Sequence, residues 1–218
     1  MMSERLFGLY GAGGFAREVM PFARQQLALT GWRLVFIETM PGADQVNGMP
    51  VMSEQAFFEA GAIERGFAVA IADAQARQAI AERCEAHGAR PITLQAPSAI
   101  VYDDNRIGDG SILCAHSMVT SNARIGRHFH ANLFSYVAHD CVIGDWVTFA
   151  PRVSCNGNVH VGDHAYIGTG ALLRPGTPRG APLTIGSAAV VGMGAVVTRD
   201  VAPGVTVVGS PARPLARD

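Results

Sequence analysis

The sequence predicts a molecule in two parts, an α/β domain with a reduced parallel sheet over residues 1–94 and an all-β parallel solenoid over residues 95–218. Three observations carry this prediction. Up to Leu94 short apolar runs alternate with helix-like stretches; beyond it helical periodicity disappears in favour of valine, glycine and alanine; and there an aliphatic residue recurs every six positions. The boundary falls within Leu94–Pro97.

In the first part Arg5–Tyr10 reads as a strand, GAGGFARE opens a helix running to about Leu29, and Leu34–Ile37 is a second buried strand. That is a βαβ start. A helix at Ser53–Ala60, a strand at Phe67–Ile71, a helix from Asp73 to His87 and a last strand at Pro91–Leu94 continue the alternation.

In the second part sixteen positions at six-residue spacing run from Val101 to Val197, omitting only 179, and thirteen of them are Ile, Leu or Val. The exceptions are Ala131, Phe149 and Cys155. Two places earlier the residue is usually small, as in Ser111, Ala123, Ser135, Ala165 and Ala195. Residues two apart on a strand share a face, so both point inward, and the small one fits where a triangular coil narrows. One place after the aliphatic, Gly or Asn is frequent (Gly108, Gly126, Asn132, Gly144, Asn156), and a corner at positive φ is expected there. Three six-residue sides close one coil, so the hexapeptides make about five coils, each burying its face against the next. The stretch RPGTPRGAP, between Leu173 and Ile185, preserves the register at the length of one extra hexapeptide and reads as a loop pushed out of the solenoid.

Composition narrows the function. Net charge is -1, and the 17 basic residues are all arginines without a run, which argues against a nucleic-acid or membrane-surface partner. No apolar stretch approaches the roughly 20 residues of a spanning helix, and MMSERLFGLYGAGG lacks a secretory pattern, so a cytoplasmic location is expected. Cys84, Cys114, Cys141 and Cys155 form no C-x-x-C pair and read as reduced thiols; Cys141 and Cys155 fall at inward places.

Gly11-x-Gly13-x-x-Ala16, with Gly14 between, follows a strand and opens a helix, the context for a phosphate over a helix N-terminus. Glu38 ends the next strand, where a ribose-binding acid would lie. Taken alone this is a dinucleotide fingerprint and suggests an oxidoreductase. Against that reading, the sheet lacks a second nucleotide-binding half and the rest of the chain is a solenoid.

The hexapeptide repeat resembles the left-handed parallel β-helix acyltransferases. With its glycine-rich, Rossmann-like N-terminal domain the chain looks like the subgroup of nucleotide-amino-sugar N-acetyltransferases and sialic acid O-acetyltransferases, a resemblance that extends to the VVGSPARPL tail. Left-handedness is implied by the resemblance alone, since the general crossover rule favours the right hand. The resemblance also implies a homotrimer with acetyl-CoA in the groove between solenoids, and transfer of acetyl to the amine of a nucleotide-linked amino sugar by direct attack. The alternatives are a sugar O-acetyltransferase of the sialic acid type and a non-enzymatic scaffold or nucleotide-binding protein.

The same resemblance assigns residues. His139 in YVAHDCVIGD matches the general base; its place, two after the inward Val137, is outside the core and near a corner. Asp140 resembles the acid that orients the ring, Gly157 in SCNGNV the backbone oxyanion donor, and Asn132 an asparagine near the acceptor. Gly157 and Asn132 are also explained by corner geometry alone. Gly157, Arg174, Arg179, Gly192, Pro211, Ala212 and Arg213 are implied on the coenzyme side, with solvated loop charge the other reading of the two loop arginines. Gly11, Gly13, Gly14, Glu38, Asp73 and Arg77 are implied on the nucleotide-sugar side, and Asp73 serves equally as a helix cap. A second histidine common in the subgroup is Thr148 here. No metal is expected: His128-x-His130, His160 and His164 read as surface residues of the solenoid.

Overall fold

The computed structural model describes residues 4–177 and 180–215, and it divides into two compact units, 1–97 and 98–218. In the first unit a sheet, parallel except where β3 pairs with β4, is built from β1 (Arg5–Tyr10), β2 (Trp32–Glu38), β3 (Gln45–Val46), β4 (Met49–Ser53), β5 (Glu64–Val69) and β6 (Arg90–Pro91), in the order β3-β4-β2-β1-β5-β6. β1 is central and its last five residues are buried, which is why it reads as a continuous apolar run. The helices are α1 (Gly14–Leu27), α2 (Glu54–Glu59) and α3 (Ala74–Ala86). α1 buries Ala16, Val19, Met20, Ala23 and Leu27, one stripe at helical spacing. α2 and α3 start at side-chain caps, Ser53 Oγ accepting from Ala56 N–H at 3.1 Å and Asp73 Oδ1 from Ala76 N–H at 2.7 Å.

Three local expectations change. The β3–β4 hairpin was not expected, although Asn47-Gly48 at its tip, with φ of 50° and 73°, carries the turn signature for it. The strand expected at Phe67–Ile71 runs instead over Glu64–Val69 and ends before Ile71, whose carbonyl accepts from Arg77 Nη1 at 2.7 Å. The strand expected at Pro91–Leu94 is divided: Arg90–Pro91 closes the sheet edge, where a missing N–H is tolerated, and Leu94–Gln95 is no part of that sheet.

The second unit is a left-handed parallel β-helix of short strands. One face stacks six strands from Ile100–Val101 to Val196–Val197 and another stacks five from Arg106–Ile107 to Leu183–Ile185. The third runs from Ile112–Leu113 to Thr206–Val208 and ends in the antiparallel Arg213–Pro214. Partners are 18 residues apart through Cys155↔Leu173, after which the insertion shifts them, so that Val161 pairs with Ile185 and Leu173 with Val197. The hexad aliphatics are buried from Leu113 onward; Val101 and Ile107 lie in the terminal coil, with no coil before it, and are half-buried.

The corner chemistry differs from expectation. Positive φ falls three places after the aliphatic, not one: Asp104, His116, Asn122, Asp140, Asn158 and Ala188 are all left-handed, at φ from 55° to 61°. The glycine one place after the aliphatic answers a packing demand. At Gly126 an added Cβ would stand 2.7 Å from Asp145 N and from Gly144 C of the next coil. Asparagine serves that place differently, bridging coils through its amide: Asn132 Nδ2 donates to Phe149 O at 2.8 Å and Asn156 Nδ2 to Leu173 O at 2.7 Å.

Substitutions at the two places should therefore act with opposite signs. Gly126→Ala should lower stability by about 1–3 kcal/mol through overpacking. Ala188→Gly should raise it by about 0.5 kcal/mol, because relief of left-handed strain outweighs the backbone entropy of glycine. Urea unfolding of the two variants against the parent checks both signs.

Candidate active site

His139 and Gly157 are 18 residues apart and occupy equivalent corner places on adjacent coils, since Val137 pairs with Cys155. A Cβ on Gly157 would stand 2.5 Å from His139 Cε1 and Nε2, so the imidazole lies directly over the glycine. That contact, not turn conformation, requires the missing side chain. Gly157 N–H donates to no protein acceptor among the described residues, while its carbonyl is held by Gly176 N–H at 2.9 Å.

Neighbouring side chains on an extended strand point apart, yet Asp140 Oδ2 lies 2.8 Å from His139 Nδ1. The φ of 60° at Asp140 explains it: the left-handed corner folds the carboxylate back beside the ring. Nδ1–H then donates to Asp140 and Nε2 remains the basic nitrogen. The His139 and Asp140 side chains are 65% and 59% exposed, so a ligand can reach them.

These groups border a cavity of about 450 Å³. Its walls are His139 and Asp140 from one coil, Gly157 and Asn158 from the next, and Pro175, Gly176, Thr177 and Gly180 from the insertion. The insertion is therefore not simply displaced from the solenoid; its first arm folds onto the reactive corner. The charge pattern gave no sign of Asn158 or Thr177, whose part depends on which coil the arm meets.

Other expected residues are placed differently. Asn132 is outside this cavity wall, its amide engaged with Phe149 O. Thr148 is buried, paired between His130 and Tyr166, and likewise outside the wall. Arg174 spends its guanidinium on carbonyls, Nε on Thr198 O at 2.9 Å and Nη1 on Pro175 O at 2.6 Å, so it anchors the insertion. Arg179 lies outside the described residues. Gly192 admits the Val208 side chain, whose Cγ1 would lie 2.7 Å from an added Cβ. Ala212 and Arg213 border a separate cavity of about 280 Å³ with Val197, Arg199 and Val207, and Pro211 follows Ser210 through a cis peptide bond.

The four histidines weighed as metal ligands take other places. His128 is buried and stacked on Trp146 at 4.4 Å, and among the described residues no three metal-binding side chains converge. Cys141 and Cys155 are core residues with sulfurs 3.9 Å apart, and burial raises the Cys84 thiol to about 12.

In the first unit Gly11 (φ 98°) and Glu38 border one cavity of about 320 Å³, together with Tyr10, Thr39, Met40, Ile71 and Ile80. Gly13 is the N-cap of α1, and nothing lies within 4 Å of a Cβ added at Gly13 or Gly14, which leaves the helix N-terminus open to an anion. Asp73 is engaged as the α3 cap. Arg77, expected on the substrate side, is fully buried; burial lowers it to about 10, and it braces the loop after β5 through Ile71 O and Ala72 O.

A polar network fixes the cavity wall from behind. Arg83 grips Glu54 with two nitrogens, at 3.1 and 3.0 Å; Glu54 accepts from Tyr10 OH, which also lies 3.1 Å from Thr39 Oγ1. The Arg83 hydrogen bonds hold the Glu54 carboxyl below its ordinary value.

The model of the PglD N-terminal domain matches residues 7–84. A GDP-perosamine N-acetyltransferase of Escherichia coli O157:H7 is 46% identical over 97% of each chain. The chain belongs to the hexapeptide-repeat N-acetyltransferases of nucleotide-linked amino sugars. WeeI of Acinetobacter baumannii superposes on this acetyltransferase with a TM-score of 0.92 at 48% identity, over 97% of this chain and 100% of WeeI. PerB of Caulobacter crescentus, solved in complex with CoA and GDP-perosamine, gives a TM-score of 0.83 at 28% identity over 99% of each chain.

Because Glu54 is held below its ordinary value of 4.5, its stabilisation is present above that pH and is lost as pH falls through the depressed folded value. Glu54→Gln should therefore cost up to about 1 kcal/mol at pH 7, the scale of a partly exposed pair, and the deficit should shrink below pH 4.5. Paired urea titrations at pH 7 and at acid pH check the sign.

Proposed function

We propose that this acetyltransferase moves acetyl from acetyl-CoA to the amine of a GDP-linked amino sugar, with His139 as general base. The observation that carries the reading is the imidazole held by Asp140 directly over Gly157, whose N–H donates to no acceptor among the described residues. It is supported by the 46% identity to a GDP-perosamine N-acetyltransferase and the likeness to PerB bound to CoA and GDP-perosamine.

The free amine attacks the thioester carbonyl and passes a proton to His139 Nε2. Negative charge gathers on the carbonyl oxygen, which Gly157 N–H is placed to receive. Collapse expels the coenzyme thiolate and forms the amide; the proton on His139 returns to the thiolate. Asp140 fixes the ring tautomer and supports the imidazolium. The open N-terminus of α1 suits the diphosphate of the acceptor and the Gly11–Glu38 cavity its nucleoside, which makes the N-terminal unit the acceptor-binding domain and the β-helix the acetyl-CoA domain. Gly192, Pro211, Ala212 and Arg213 belong to the coenzyme side of this reading. The protein works as a homotrimer in the cytoplasm; no helix among the described residues is long and apolar enough to cross a membrane.

A thiol-release assay over nucleotide-linked amino sugars and free sugars tests the acceptor class, with GDP-linked amino sugar expected to be turned over fastest and sialic acid not at all. His139→Ala should preserve the fold and lower kcat by about 10²- to 10⁴-fold. Near-full activity of that variant would assign the proton transfer elsewhere. Gly13→Val should raise acceptor KM far more than acetyl-CoA KM, because the new side chain occupies the approach to the helix N-terminus.

A further inference from the structure

Related folds can carry acyl groups of more than one length, so a repeat of this kind does not by itself dictate the size of the group transferred. The choice has to be made by what borders the reacting carbonyl. Along the solenoid the order at the reactive corner is His139, then Gly157, then the first arm of the insertion, because Gly176 N–H reaches back to Gly157 O at 2.9 Å.

That order has a stereochemical consequence. The amine must come from the His139 side, since Nε2 takes its proton. As the carbonyl carbon becomes tetrahedral the acyl chain and the thioester sulfur bend away from the nucleophile, and Pro175, Gly176 and Thr177 line the cavity on the side away from His139. The arm is held there by Asn158. Asn158 N–H donates to His139 O at 2.9 Å, and its side-chain amide donates to Thr177 O and Gly180 O, each at 3.4 Å. Gly176 packs so closely that a Cβ on it would meet Asn158 Nδ2 at 2.7 Å. One residue thus ties the base-bearing coil to the arm that faces the acyl group.

We propose that Asn158 and the Pro175–Thr177 arm it clasps form the wall that limits the transferred acyl group to a short chain, making Asn158 a specificity-determining residue. The inference rests on the acyltransferase reading of the cavity but not on the identity of the acceptor.

The test is calorimetric binding of CoA, acetyl-CoA and butyryl-CoA without acceptor, so that no turnover is required. Asn158→Gly keeps the left-handed backbone (φ 57°) and the N–H to His139 O while removing the amide. Deletion of residues 176–181 removes Gly176 and Thr177 from the arm and restores an 18-residue coil, the turn that the preceding coils already make. The parent should bind butyryl-CoA about tenfold or more weakly than acetyl-CoA, the scale on which a hydrophobic pocket resolves small differences in chain length. Both variants should close that gap to about threefold or less, Asn158→Gly with its affinity for CoA unchanged. Equal affinity of the parent for the two thioesters, or an undiminished gap in both variants, overturns the proposal. Failure of GDP-linked amino sugars to release thiol would instead overturn the acceptor assignment and leave the binding result standing.

Discussion

The stacking of one coil on the next is the constraint from which the rest of the β-helix follows. Parallel pairing, at 18-residue spacing up to the insertion, puts a corner beneath its counterpart, so whatever occupies one corner decides what the next can hold. At most corners the result is structural: a glycine admits a neighbouring backbone, as at Gly126, or an asparagine amide binds a carbonyl of the next coil, as at Asn132. At one corner the same rule brings together the groups proposed for the chemistry. His139 takes the space that a side chain at residue 157 would fill, which leaves an imidazole beside a cavity and a Gly157 N–H that donates to no acceptor among the described residues.

Left-handed backbone serves both ends. The positive φ that turns each corner falls on residues of many types, including alanine and aspartate, because the coil imposes it on whatever residue occupies the place. At Asp140 it also aims a carboxylate at the imidazole beside it. At Asn158 it frees an amide to grip the insertion. The backbone conformation that closes the coil thus also orients the His139 imidazole and anchors the cavity wall.

The N-terminal unit relies on a different device. Its open helix N-terminus and the Gly11–Glu38 cavity are formed mostly by backbone and by strand ends, so their geometry depends on how firmly those ends are fixed. The Arg83–Glu54–Tyr10–Thr39 network does this from one side, and the buried Arg77 guanidinium braces the loop after β5 from another. Neither network need touch a ligand to matter for binding.

By itself the sequence determined the division into two parts, the βαβ alternation, the hexad register and its inward residues, because hydrophobic period and turn punctuation are local properties of the chain. The glycine-rich loop was legible in the same way, while His139 and Gly157 were marked by the family resemblance. Only the tertiary structure decided what the corner residues are for. The glycine after the aliphatic answers the coil above it, the positive φ falls two places further on, Asn132 and Arg174 are engaged with carbonyls distant in sequence, and Arg77 is buried against the loop after β5. Asn158 and the Pro175–Thr177 arm escaped the sequence reading for the same reason, since a contact between coils is fixed by stacking and insertion length, and neither leaves a mark on the residues it joins.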